Sequence, residues 1–263
     1  MRIDSATTAI VTGASAGIGR ALATELAARG VAVGLLARSR ERLEELAATL
    51  GGGAVAVVAD VREREATQRA IDGFVERTGG LDLVFANAGI AHYGPFADVE
   101  LELAEEMIDV NVRGTVYTVA AALPQMLDRA RGHLVVTSSG AGIRAFPWGA
   151  VYGATKAFDR GFAEALRHEL SGTGVSVTTV FPGEVETELH DHQPGSIPDW
   201  RRGDDALAPA DVASAILAAV EADEANLYLP PATRLLGLNG LAPRATDRLL
   251  RRVRGASAAP RRD

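Results

Sequence analysis

Apolar residues gather along this chain in short runs, most of them continuous, at 8–11, 31–36, 54–58, 81–85, 133–137, 175–181 and 226–229. Strands with one wet face alternate polar and apolar positions, so continuous runs predict strands covered on both faces, as in a parallel sheet. Between the runs the spacing changes to a helical period, for example over 18–29, 41–50, 63–77 and 150–170. Regular alternation of this kind predicts one doubly wound α/β domain, a parallel seven-stranded sheet flanked by helices. Ligands of such sheets bind outside the carboxyl ends of the strands, which directs attention to the residues just after each run.

Two segments break the rhythm. Residues 188–207 are polar and rich in turn-forming doublets, and are read as a mobile lid. The stretch 230–263 holds an expected amphipathic helix around 246–253 and then a basic, Ala/Pro-rich end read as disordered. The chain is therefore divided into a catalytic domain, 1–232, and a C-terminal extension, 233–263. In that extension Leu235, Leu236, Leu238, Leu241, Leu249, Leu250 and Val253 interleave with Arg234, Arg244, Arg248, Arg251, Arg252 and Arg254. Packing of the leucines on the domain is the favoured reading, and peripheral contact with an anionic membrane is the lesser one.

Composition narrows the function. At 263 residues and 47% apolar the chain can bury a full core, and the absence of cysteine removes disulfides, thiolate metal sites and thiol nucleophiles. A formal charge of −7 argues against a nucleic-acid surface. No apolar run approaches the ~20 residues that span a bilayer, and the opening Met-Arg-Ile-Asp leads at once into the first run. A soluble, cytoplasmic protein without a signal peptide is expected. His190 and His192 stand only two apart in a loop and give no metal-ligand spacing, so no metal is expected.

The candidate chemistry lies at the strand ends. Thr12-Gly13-Ala14-Ser15-Ala16-Gly17-Ile18-Gly19 follows the first run and opens a helix, where glycines let backbone N–H groups approach a pyrophosphate. The second run ends at Ala37-Arg38. A carboxylate there would select NAD by holding the ribose 2′-hydroxyl, whereas a cation suits the 2′-phosphate of NADP. Arg38, helped by Ser15 and Arg40, points to NADP(H), with NAD(H) as the alternative; as a bland reading, Arg38 is a surface charge. Of 27 Lys+Arg residues one alone is lysine, Lys156, four positions after Tyr152. Helical residues so spaced share a face, and an ammonium beside a phenol favours its ionised form.

These residues together resemble the classical short-chain dehydrogenase/reductase family over about 7–230. Thr12-Gly13-x-x-x-Gly17-x-Gly19 matches its cofactor loop; Asp60-Val61 resembles the pair that contacts adenine, and Asn87-Ala88-Gly89 the turn behind the cofactor, although the preceding Asn of the family is Ala86. Asn111 falls on the fourth helix, where the family keeps a catalytic asparagine. Ser139, thirteen residues before Tyr152, corresponds to the family's catalytic serine in preference to Ser138. Pro182-Gly183-x-Val185-x-Thr187 resembles the segment at the nicotinamide end.

The resemblance implies a Rossmann-type fold, a catalytic tetrad of Asn111, Ser139, Tyr152 and Lys156, and hydride transfer between nicotinamide and a carbonyl or secondary alcohol. Tyr152 is then acid and base and Ser139 holds the substrate oxygen. Lys156 lowers the Tyr152 pKa and binds the nicotinamide ribose, and Asn111 holds a relay water. It also implies a homodimer or homotetramer. A low-turnover NADP(H)-sensing protein is the competing class, disfavoured because all four residues are present. Loop residues His92, Tyr93, Phe96, Ile143, Phe146, Trp148 and Trp200 suggest an apolar or ring-containing small-molecule substrate, with Arg144 and Glu184 near any polar tail.

Overall fold

The structure, a computed structural model, describes residues 1–190, 206–240, 243, 244, 247 and 248. Seven strands, β1 (Thr8–Thr12), β2 (Ala32–Ala37), β3 (Val55–Val58), β4 (Leu83–Ala86), β5 (Gly132–Thr137), β6 (Val175–Pro182) and β7 (Asn226–Leu229), form one parallel sheet in the order β3-β2-β1-β4-β5-β6-β7. The order reverses between β1 and β4, so the carboxyl ends of those two strands open the crevice in which doubly wound sheets bind ligands.

The unbroken apolar runs have a simple cause. Ala9, Val11, Leu35, Leu83, Phe85 and Val135 point to one face of the sheet, against α1 (Gly17–Ala28), α2 (Arg40–Leu50) and α8 (Pro209–Glu221). Ile10, Leu36, Val84, Leu134 and Val136 point to the other, against α3 (Arg64–Thr78), α5 (Gly114–Asp128) and α7 (Ala150–Glu169). Both faces are core, so the period-two alternation of an exposed sheet disappears. Two shorter helices, α4 (Leu101–Ile108) and α6 (Gly140–Ile143), stand beside the crevice. Between α4 and α5 the chain makes a π-helical turn, Asp109–Arg113, where the sequence predicts ordinary helix. Such turns concentrate at functional sites, and this one holds Asn111.

Not every buried polar group serves the crevice. Burial of His133 in β5 lowers its pKa from 6.5 to about 4, against the pull of the Asp223 carboxylate 3.9 Å away. Below pH 6.5 the unfolded chain takes up a proton that the folded one refuses, so stability falls with pH until about pH 4. Linkage gives a loss of about 2 kcal/mol between pH 7 and pH 5. Urea unfolding at both pH values should show it, and His133→Val should flatten that slope.

Among the described residues no helix is long and apolar enough to cross a membrane. The residues 191–205, with His192 and Trp200, lie outside the described set, as does most of the expected helix 246–253, of which Asp247 and Arg248 are helical.

Candidate active site

The crevice is organised by one hydroxyl. Thr12 Oγ1, at the end of β1, donates to the Phe85 carbonyl at 3.1 Å and accepts from the Asn87 and Ala88 amides at 2.9 and 3.0 Å. The Asn87 side-chain Nδ2 donates to the Thr12 carbonyl at 3.1 Å, and Thr137 Oγ1 donates to Asn87 Oδ1 at 3.3 Å. The ends of β1, β4 and β5 are thereby locked together. Thr12→Val would leave two amides without an acceptor, at a cost of about 1–3 kcal/mol; the midpoint of thermal unfolding should fall accordingly.

Directly beyond lies the glycine loop. Gly13 has φ +68°, and a Cβ there would stand 3.0 Å from the Ala88 Cα. A Cβ on Gly19 would run into the Gly13 carbonyl, so Gly19 closes the turn from behind and does not line the crevice. Helix α1 starts without a capping side chain or an acidic residue in its first turn, and Ser15, Gly17 and Ile18 face the crevice. Its free N–H groups and positive dipole end thus point at the cavity, the arrangement that receives an anion.

Around the far end stand Arg38, at the end of β2, with Asp60 and Val61 after β3. Arg38 is largely exposed and lies 3.9 Å from Glu106, which also meets Arg62 at 3.4 Å. Burial works against the charge of Asp60, but hydrogen bonds from Arg62, the shortest 2.7 Å, outweigh it and hold its pKa below the ordinary value. Arg40, expected as a helper of Arg38, pairs with Glu44 one turn along α2 and does not line the cavity. Arg42 takes the place on the cavity wall and meets Glu188 at 3.2 Å across it.

At the opposite end Ser139, Tyr152 and Lys156 share one wall with Asn87, Ala88, Gly89, Pro182, Gly183, Val185 and Thr187. Ser138 Oγ donates to the Lys156 carbonyl at 2.7 Å and so fastens α7 to β5. Ser139 Oγ caps the short α6, accepting from the Ala141 amide at 3.1 Å. Ser139 Oγ also lies 3.5 Å from the Pro182 carbonyl, to which it donates, and both serines line the cavity. Lys156 and Tyr152 are both buried on α7, and Lys156 Nζ donates to the Thr137 carbonyl at 2.8 Å.

Asn111 does not line the cavity. Its Oδ1 accepts from the Ile90 amide at 2.8 Å, and its Nδ2 donates to the Ile90 carbonyl at 2.9 Å and to Thr155 at 3.0 Å. With both ends of the amide engaged, the side chain clamps the Gly89–Ile90 turn onto α7.

The whole forms a cavity of about 910 Å³. Of the aromatic set expected to shape it, Tyr93 and Phe146 do, and Tyr93 stacks at a tilt on Tyr152 with ring centroids 5.6 Å apart. His92, Phe96, Ile143 and Trp148 do not line it, and Phe96 is exposed. The Trp148 carbonyl accepts from the Gly94 amide at 2.8 Å, so this loop braces its neighbour. Arg144 pairs with Asp247 of the C-terminal segment, away from the cavity wall, whereas Glu184 lines it. Sequence reasoning missed the 3₁₀ segment Pro231–Gly240, whose Ala232, Thr233 and Leu236 close one end of the cavity. Leu235 and Leu238 of that segment face outward.

The short chain dehydrogenase family model matches residues 7–195, which include the glycine loop, Ser139, Tyr152 and Lys156. The chain belongs to this family. An uncharacterised oxidoreductase of Myxococcus xanthus is 45% identical over 185 residues, 69% of this chain and 73% of the relative. A short-chain dehydrogenase/reductase of Burkholderia phymatum in complex with NAD superposes with a TM-score of 0.86 at 25% identity, covering 94% of this chain and 96% of that one. The closed form of a serine dehydrogenase complexed with NADP+ gives 0.79 at 34% identity, covering 84% and 94%. The protein is thus an oxidoreductase of the short-chain dehydrogenase family.

Proposed function

We propose that this short-chain dehydrogenase is an NADP(H)-dependent oxidoreductase that interconverts a carbonyl and a secondary alcohol, on an apolar or ring-containing substrate. One observation carries the proposal: a single cavity joins Arg38 and the bare N-terminus of α1 at one end to Ser139, Tyr152 and Lys156 at the other. The residues fit a nicotinamide dinucleotide. The N–H groups of Gly17 and Ile18 suit its pyrophosphate, Arg38 and Ser15 its 2′-phosphate, Asp60 and Val61 its adenine, and Lys156 its ribose hydroxyls. Bound there, its nicotinamide ring supplies or accepts the hydride.

The protein's own groups handle the proton and the substrate. Tyr152 gives a proton to the carbonyl oxygen in reduction and takes it back in oxidation. Ser139 donates a hydrogen bond to the same oxygen and fixes its place. Lys156, one turn away on α7, places a positive charge beside the phenol. Asn111 holds the Gly89–Ile90 turn, with both ends of its amide engaged there and on Thr155.

Tyr93, Phe146, Leu189 and Leu236 make the substrate end mostly apolar. Aryl and cyclic ketones should therefore be reduced with NADPH at a kcat/KM at least about tenfold above that of sugar aldehydes, a margin of ~1.4 kcal/mol. Equal or inverted preference in such a panel would contradict the apolar assignment.

A further inference from the structure

Helix α7 carries a buried charge that the reaction described above does not use. Asp159 is 1% exposed, and its Oδ2 accepts a hydrogen bond from Lys156 Nζ at 3.0 Å. An ammonium has three protons to give. One goes to the Thr137 carbonyl at 2.8 Å and one to Asp159, leaving the third for the cavity that Lys156 lines. The carboxylate itself is only half satisfied. Its Oδ1 makes no full hydrogen bond: the neighbouring Thr115 hydroxyl, which favours its charge, donates to the Asn111 carbonyl at 2.8 Å. A half-paired buried carboxylate costs stability. A position needing only packing would be apolar, as Ala163 and Leu166 are farther along the same stripe.

We propose that Asp159 is a positioning residue of the active site. It fixes the Lys156 ammonium at the end of β5 and holds its charge beside the Tyr152 phenol. The groups around the pair support a closed circuit. Burial drives Lys156 toward the neutral amine, but Asp159 and then Tyr152 outweigh it and raise its pKa. Burial also raises Asp159, and Lys156 restrains it. The other elements packed here bring uncharged groups, the Thr137 carbonyl of β5, Thr115 of α5 and the Asn111 amide of the π turn. Among the described residues, the titratable groups that act on the pair are its own two members and Tyr152.

Without the carboxylate, burial acts on the Lys156 ammonium with its main counterweight gone, and the Tyr152–Lys156 couple loses its first proton at lower pH. The inference rests on Tyr152 being the acid of the proposed reaction, and the test separates the two. In Asp159→Asn, the alkaline limb of kcat/KM for carbonyl reduction should move down by about one pH unit or more. In the cofactor-free protein, the tyrosinate absorbance of Tyr152, isolated by subtracting the matching Tyr152→Phe variant, should shift by a similar amount. Asp159→Val removes the carboxylate without leaving a buried amide and serves the same readouts if the asparagine variant does not fold. An unmoved limb and an unmoved titration, even with reduced kcat, would make Asp159 a packing residue and overturn the inference. If the wild type reduces no carbonyl, the proposed reaction fails, while the tyrosinate titration still decides the role of Asp159.

Discussion

Replacing Tyr152 with phenylalanine should lower kcat/KM for carbonyl reduction by about 10²–10⁴, the range general acid catalysis contributes, and should leave NADPH binding within about threefold. The substitution deletes one hydroxyl. The ring remains buried against Tyr93, so the wall of the cavity keeps its shape. Lys156 keeps its bonds to Thr137 and Asp159, so the ribose end of the site is undisturbed. What disappears is the proton that neutralises the developing alkoxide. Steady-state rates together with a fluorescence titration of NADPH read the two quantities separately. A variant that retains more than about a tenth of wild-type activity would mean that another group supplies the proton.

Arg38→Asp should invert the cofactor preference. A hydrogen bond to a charged group contributes about 1.5–3 kcal/mol, so loss of the guanidinium should cost about 10–100-fold in kcat/KM with NADPH. The introduced carboxylate repels a 2′-phosphate and offers an acceptor to a free 2′-hydroxyl, so NADH should gain as NADPH loses. The local charges favour a clean result, because Glu106 retains Arg62 at 3.4 Å when Arg38 is gone. Initial rates with both cofactors on one substrate give the ratio. If the NADPH/NADH ratio stays within about twofold, Arg38 does not read the 2′ position, and Arg42 on the same wall becomes the residue to change.

The parts of this site that were legible in the sequence are those fixed by local spacing. Strands buried on both faces announce themselves as apolar runs, and their predicted ends differ by a residue or two for identifiable reasons. Val31, for instance, is drawn into the end of α1 by its amide bond to the Leu26 carbonyl, and β2 starts one residue later. The glycine loop, Arg38, Ser139, Tyr152 and Lys156 all sit where a strand end or a helical repeat puts them. Features that depend on how distant segments meet were not legible. The π turn at Asn111 follows from clamping Ile90 to Thr155, pairs that are 21 and 44 residues from Asn111. Arg42 rather than Arg40 faces the cavity because Glu44 holds Arg40 along the helix. The 3₁₀ segment after residue 230 becomes a wall only once Leu236 packs beside Gly140. Asp159 is a different case. It lies with Tyr152, Lys156, Ala163 and Leu166 at alternating steps of four and three, so its place on the buried stripe could have been read.

The most direct test of the proposed chemistry follows the hydride itself. NADPH carrying deuterium at both C4 positions of its nicotinamide ring would be incubated with the protein and a panel of cyclic and aryl ketones, and the products analysed by mass spectrometry. The expected result is an alcohol with one deuterium on the carbinol carbon, formed at least about a hundredfold more slowly when Tyr152→Phe replaces the wild type. Cofactor consumption that leaves no label on that carbon, or labelling undiminished in the variant, would contradict it.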